Sequence, residues 1–287
     1  MKGFKKIIFQ LHKPSYLLLD HGWRKLRRQY ETDRQKHYRE RKTAEYLLIS
    51  PTNCGRTWLR VMLGHLMQQA YDVQDVNLHY LFSFSERNPN LPSIKAIHEK
   101  YGQFGTYDQQ KVILLVRDPR DALVSKYHQH KHNYPDYSDI NDFIQNSPEL
   151  SAYVDDYNRW HQNRRVPLDF MTVRYEDMKT DTHRELQKVL TFLDLAVAPE
   201  MMTSAIEFAS FRNMRSIEVN GSDQVRAGVL NTPGQSVSDN QLKTRKGIVG
   251  GYKQELSMDV IQYMDRFIQE NLDPSYGYGT SIQPVHI

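Results

Sequence analysis

Three short apolar runs, each cut off by a polar cluster and each followed by residues at helical spacing, restrict this chain more than any other feature. Ala44 to Ser50 reads as a buried strand, Pro51 to Gly55 as a turn, and Trp58 to Met67 as an apolar helix. Lys111 to Val116 repeats the pattern: Arg117, Asp118 and Pro119 end the strand, and Arg120 to His130 has helical spacing with a proline near its start. Leu168 to Val173 gives way to Arg174, Tyr175, Glu176 and Asp177, after which Thr182 to Leu193 reads as a helix capped by Asp181. Met258 to Asn271 supplies a last amphipathic helix. Strands that alternate with helices predict an α/β fold of three layers, a central parallel sheet flanked by helices. Tyr71 to Ser93 has little periodicity; Asn88, Pro89, Asn90 and Pro92 mark loops, and the alternating Tyr80, Phe82 and Phe84 form a candidate pocket wall.

Open parallel sheets bind ligands beyond the carboxyl ends of their strands, which is where the polar clusters fall. Pro51-Thr52-Asn53-Cys54-Gly55-Arg56-Thr57-Trp58 is a strand-to-helix turn able to aim backbone N–H groups at a phosphate. It lacks the lysine of GxxxxGK(S/T), so it matches an ordinary ATP loop poorly. In the second cluster Arg117 ends a strand and Ser125 lies eight residues on, a pair able to grip one phosphate, since a guanidinium stays charged and donates two parallel hydrogen bonds. The alternative for this segment is a surface ion-pair network of Asp118, Arg120 and Asp121. The third cluster, Arg245-Lys246-Gly247-Ile248-Val249-Gly250, is either a flexible cationic lid or a mobile loop.

Taken together and in this order, these segments resemble the PAPS-dependent sulfotransferase family. Gly55-Arg56-Thr57-Trp58 is similar to the family's 5′-phosphosulfate loop, Arg117 to Ser125 to its 3′-phosphate motif, Tyr175-Glu176-Asp177-Met178-Lys179 to its YEDLK segment and Arg245 to Gly250 to its RKGxxG loop. The similarity runs from about Ala44 to about Phe267. It implies a P-loop-like fold with PAPS across the strand ends, sulfonate transfer to an acceptor hydroxyl or amine, release of PAP, and no metal. Cys54, Gly55, Arg56 and Thr57 would then hold the 5′-phosphosulfate, Arg117, Ser125, Arg245, Lys246 and Gly247 the 3′-phosphate, and Trp58, Tyr175 and Phe211 the adenine. Without the resemblance, Trp58 and Phe211 read as core and Tyr175 as a strand-end residue; Ala209 stands where a TSFxxM segment of the family has threonine. His98, shortly before the 3′-phosphate strand, takes the place of the general base. The main departure is Asn53, at the position where the family has a lysine that steadies the bridging oxygen; Arg56, Lys95 or Lys246 are candidate substitutes.

Two rivals follow from the same residues. A PAP- or PAPS-binding protein with weakened or lost catalysis is suggested by Asn53, whereas a nucleotide-dependent kinase would need the missing P-loop lysine. The histidines at 128, 130 and 132 alternate, and residues two apart do not share a helix face, so no metal site is expected there.

The 287 residues are read as one sulfotransferase domain, 43–287, behind a basic helical arm, 1–42. The arm holds thirteen Lys/Arg against four Asp/Glu; set against +4 for the whole chain, its +9 leaves the remainder near −5. Trp23, Leu26 and Tyr30 recur at helical spacing beside Arg24, Lys25, Arg27 and Arg28, which reads as an amphipathic helix that either docks on the domain or meets an anionic membrane surface. No apolar run approaches the ~20 residues of a spanning helix. Lys2, Lys5 and Lys6 precede too short an apolar stretch for a signal peptide, and a single cysteine suits a reducing compartment, so a cytoplasmic and at most membrane-peripheral protein is expected. A small molecule, lipid or glycan acceptor is expected, and no nucleic acid.

Overall fold

The computed structural model describes residues 31–220 and 242–279. The chain divides into two compact units, Met1–Thr43 and Ala44–Ile287. In the first, helix α1 (Asp33–Thr43) opens on a reciprocal cap: the Gln35 N–H donates to Thr32 Oγ at 3.3 Å while the Thr32 N–H donates to Gln35 Oε1 at 2.9 Å. Arg39 forks onto the Glu31 carboxylate at 3.0 to 3.2 Å. The expected helical stripe of Trp23, Leu26 and Tyr30 lies outside the described residues.

The second unit is built on a four-stranded, wholly parallel sheet: β1 (Tyr46–Ile49), β2 (Ile94–Ile97), β3 (Lys111–Val116) and β4 (Asp169–Arg174), in the order β2-β1-β3-β4. Every residue of β1 is buried, and in β3 only the first is not. Their unbroken apolar sequences are what strands covered on both faces require. Ile49 lies opposite Ile97 on one side and Leu114 on the other, so the loops after β1, β2 and β3 leave the same edge. From β1 the chain goes to one neighbour for β2 and then returns to the other for β3. That reversal opens a crevice at the carboxyl edge.

The helices are α2 (Arg56–Tyr71), α3 (Phe82–Arg87), α4 (Pro119–His130), α5 (Ile140–Asn146), α6 (Glu149–Gln162), α7 (Tyr175–Thr180), α8 (Thr182–Phe192), α9 (Pro199–Phe208), α10 (Phe211–Asn220) and α11 (Met258–Asn271). Asp181 caps α8 as expected, accepting the Arg184 N–H at 3.0 Å. Asp118 caps α4 in the same way, with Pro119 in its first turn. Two expectations are corrected. The alternating Phe82 and Phe84 belong to the short helix α3 and are buried in the core, so of the segment 71–93 only His79 reaches the crevice. The ion pairs of the second cluster are not a surface network, because Asp118, Arg120 and Asp121 are all buried. Arg120 joins Asp118 at 2.9 Å and also contacts Asp265, which ties α4 to α11.

Candidate functional site

A cavity of ≈ 580 Å³ opens at the carboxyl edge of the sheet, and its walls are the strand-end clusters. The first wall is the turn after β1. Asn53 and Gly55 have φ of 62° and 90°, the left-handed region that asparagine and glycine tolerate best. At Gly55 a Cβ would also stand 2.6 Å from the Tyr175 ring. Helix α2 then starts at Arg56 with no side chain capping its first N–H groups, an anion-binding arrangement. Cys54 turns its side chain into the core, where burial pushes the thiol up to about 12, so any part it plays at the cavity falls to its backbone. Thr57 and Trp58 line the cavity.

Arg117, the first residue after β3, is 9% exposed and held on several sides. Its Nη1 donates to the Asn53 carbonyl at 3.2 Å and its Nη2 to the Ile248 carbonyl at 3.3 Å, while the guanidinium carbon sits 4.5 Å from the Tyr175 ring centroid. One residue thus connects the turn after β1, the end of β4 and the late loop. Ser125, two turns into α4, accepts from Asn53 Nδ2 at 3.3 Å, and the same amide donates to Gln129 Oε1 at 2.7 Å. Asn53 therefore belongs to the site, but it brings an amide rather than a charge.

The three aromatic residues converge. Trp58 meets Tyr175 edge-on at 5.9 Å, and its Nε1 donates to the Ala209 carbonyl at 2.8 Å. Phe211 opens α10 and is 40% exposed, with its ring so close to Gly247 (φ 61°) that a Cβ there would lie 2.8 Å from it. In the late loop, Arg245 and Lys246 reach Glu255 at 2.7 and 2.9 Å, and Asp121 accepts the N–H groups of Gly250 and Tyr252 at 2.7 and 3.0 Å. The loop is therefore anchored rather than loose. His128 also meets Glu255, at 2.5 Å, whereas His130 lines the cavity.

His98 follows β2 directly. Its Nδ1 lies 2.7 Å from the Ser50 carbonyl, which only accepts, so Nδ1 carries the proton and Nε2 keeps the lone pair of the neutral ring. His98 is exposed to the cavity; desolvation by the surrounding protein first, then the Arg56 charge, lowers its pKa to about 4. Arg56 is itself lowered to about 9 by burial and by the neighbouring Arg60 charge. Lys95, a candidate substitute for the missing lysine, is corrected: it lies within β2, buried over Tyr80 at 5.6 Å, and does not line the cavity.

Sequence reasoning missed the residues that hold this site together. Tyr157 on α6 takes the Arg117 N–H and donates to the Arg117 carbonyl, both at 2.9 Å, and stands 3.4 Å from the Cys54 thiol. One turn earlier, Tyr153 donates to the Thr52 carbonyl at 2.7 Å. The hydrophobic periodicity of α6 was the available signal, but it does not reveal which tyrosines carry these bonds. Missed as well were Gln129, Glu255 and the cavity-lining Arg60, His79 and Lys243. Arg56 Nη1, Arg117 Nε and Arg245 Nε are buried without a hydrogen-bond partner. Buried polar groups are rarely left so, and three guanidinium donors in one cavity fit an anionic ligand that carries more than one negative group.

The family model described as the sulfotransferase domain matches residues 44–275. Cytosolic sulfotransferase 12 of Arabidopsis thaliana is 22% identical over 275 residues, covering 84% of this chain and 81% of that protein. Mouse sulfotransferase SULT7A1, solved in complex with PAP, superposes with a TM-score of 0.57 at 21% identity, covering 79% of this chain and 84% of the other. Retinol dehydratase, solved with androsterone and the inactive cofactor PAP, gives a TM-score of 0.60 at 18% identity, with coverages of 79% and 80%.

Proposed function

The chain belongs to the sulfotransferase domain family, and on that premise we propose how its own residues divide the work of moving a sulfonate group from PAPS to an acceptor. The fold is the family's P-loop-like α/β sandwich, and the kinase reading falls with that assignment. When bound, PAPS supplies the sulfonate: the acceptor oxygen or nitrogen bonds to sulfur as the bond from sulfur to the phosphate oxygen breaks, and PAP leaves.

The observation that carries the division of roles is the meeting of Arg56, Arg117 and Arg245, each with a buried unpartnered N–H, beside three aromatic rings in one cavity. Trp58, Tyr175 and Phe211 embrace the adenine. Arg117, Ser125, Arg245, Lys246 and the backbone at Gly247 hold the 3′-phosphate. Arg56, Thr57 and the open N-terminus of α2 hold the phosphosulfate. His98 Nε2 takes the acceptor's proton, and Arg56 beside it stabilises charge developing on the departing phosphate. The glycine at 55 gives the Tyr175 ring room to reach the loop.

The acceptor is a small molecule by extension from retinol dehydratase, which holds androsterone, and the setting is cytoplasmic by extension from the cytosolic Arabidopsis relative. Residues 1–42 form an accessory arm that associates with anionic membrane surfaces. Titration calorimetry tests the nucleotide reading: PAP binds and ATP binds far more weakly. Arg117→Ala weakens PAP on the order of ten- to a hundredfold, the worth of one hydrogen bond to a charged group. Unchanged PAP affinity in a variant that unfolds at the parent temperature sinks the 3′-phosphate assignment.

A further inference from the structure

The cavity has two ends, and the geometry of α2 separates them. Trp58 faces Tyr175 and Ala209. Arg56 and Arg60 each stand two residues from Trp58, about 200° around the helix, and four residues from each other, so they share the face opposite the indole. That face belongs to His98, on which the charges of Arg56, Arg60 and Lys243 all act. His79 and His130 line the same cavity. Arg60 Nε donates to the His79 carbonyl at 2.6 Å; no carboxylate pairs with Arg60 or Arg56 among the described residues.

Charge is unevenly shared out. Among the described residues, the cavity walls carry Arg56, Arg60, Arg117, Lys179, Lys243, Arg245 and Lys246 against a single acid, Asp121, which is occupied by Arg117 and two backbone N–H groups. Residues 43–287 are nonetheless net acidic, so this concentration is not the drift of a basic protein. The nucleotide roles proposed above use Arg56, Arg117, Arg245 and Lys246, and Lys179 lies over the Trp58 ring at 5.7 Å. Arg60 remains, and its charge acts on the proton acceptor. An uncharged acceptor would leave the Arg60 guanidinium, largely enclosed by protein, without a counter-charge, whereas burial of a cation is favourable only when it is paired.

We propose that the acceptor is itself an anion: a hydroxyl- or amine-bearing small molecule with a carboxylate or a phosphate group that Arg60 grips while His98 faces the reacting hydroxyl or amine. This rests on the sulfotransferase reading and deepens it. Arg60 sets acceptor specificity and holds the acceptor close to the base. His79 and His130 form the hydrogen-bonding rim of the same end.

The test uses the full chain with PAP or labelled PAPS and matched acceptors: 4-hydroxyphenylacetate against its methyl ester, 4-hydroxyphenyl phosphate against hydroquinone, and methyl glucuronoside against methyl glucoside. Calorimetry on the PAP complex measures acceptor binding without turnover, and transfer assays give kcat and KM. Within each pair that binds, the anionic member is favoured at least tenfold. Comparing the carboxylate and phosphate arms tells which anion the site takes. Arg60→Gln lowers affinity for the anionic member on the order of ten- to a hundredfold, mostly in KM, and leaves the neutral member and PAP affinity unchanged; Arg60→Lys keeps part of the preference. Equal or better binding of the neutral members overturns the proposal, as does an Arg60→Gln variant that weakens both members alike, or a PAP complex that takes none of the anions. Failure to bind PAP at all is a different result: it removes the nucleotide reading on which the proposal stands.

Discussion

His98 illustrates how a residue's environment sets its chemistry. Its pKa of about 4 keeps the ring neutral in the free protein at every physiological pH, and the Ser50 carbonyl fixes Nε2 as the basic nitrogen. The base form is present above that pKa and is lost as pH falls through it. With an acceptor of constant charge, kcat/KM, which reports free enzyme, should therefore show no His98-dependent loss between pH 8 and 5, and its acid limb should fall near 4. The lowering comes first from burial and next from Arg56, so an anionic nucleotide on Arg56 raises the pKa and moves the acid limb of kcat to higher pH. His98→Ala should abolish turnover while PAP affinity stays as it was. An acid limb of kcat/KM at 6.5 or above, or substantial kcat in His98→Ala, would assign the base elsewhere.

Asn53 is the other residue whose meaning the structure changes. The sequence marks it as a missing cation; the fold adds a left-handed backbone and an amide committed to Gln129 and Ser125. Arg56, in the same cavity with an unpartnered Nη1, is the cation positioned to compensate, whereas Lys95 is not at the site and Lys246 is paired with Glu255. Loss of a single preorganised transition-state donor costs ~2.7–4 kcal/mol, so partial compensation leaves room for a gain. Asn53→Lys should raise kcat at least tenfold with PAP affinity nearly unchanged, at the expense of ~1 kcal/mol of stability for a lysine at positive φ. If kcat is unmoved, Arg56 already supplies the whole charge. The departure from the family was legible in the sequence because it is a change of residue type within a motif. Gln129, Glu255 and Arg60 were not, since each acquires its role from a partner brought near by folding.

At the scale of elements, β1 and β3 were legible because strands buried on both faces are unbroken apolar runs. β2 was not, because Lys95 interrupts the apolar run of Ile94-Lys95-Ala96-Ile97. The aromatic alternation near Phe82 suggested a wall, yet one helical turn in the core buries both rings. Helix α6 shows what such reading leaves out. Its Tyr157 hydroxyl satisfies both backbone groups of Arg117, so the helix acts as a brace that fixes where β3 ends and where the Arg117 guanidinium begins. Tyr157→Phe keeps the ring but leaves a buried N–H and a buried C=O without a partner. It should lower unfolding free energy by ~1–3 kcal/mol in denaturant titration and weaken PAP binding, with His98-dependent chemistry otherwise intact. A variant as stable as the parent and with parental PAP affinity would remove α6 from the positioning of the site.

For the whole molecule, positive charge is concentrated in two places. Residues 43–287 are net acidic but concentrate cations in the cavity at the strand ends, a field that favours anionic ligands there. Residues 1–42 hold a net charge of +9, at a distance in sequence from every strand-end cluster. Basic side chains near an anionic leaflet are each worth ~1 kcal/mol, and the attraction fades within a Debye length, ~10 Å in 0.1 M salt and ~3 Å in 1 M. The full-length protein should therefore sediment with phosphatidylserine-containing vesicles in 0.1 M salt, and release in 1 M salt or when the vesicles are phosphatidylcholine alone. Replacing Arg24, Lys25, Arg27 and Arg28 by glutamine removes four charges, so vesicle affinity should drop on the order of a hundredfold or more while calorimetric PAP affinity is untouched. The described walls of the nucleotide cavity come from residues 50–251, so a change in both affinities together would mean that the arm belongs to the catalytic unit. Binding indifferent to salt and lipid charge would instead assign the arm's cations to some task other than the membrane surface.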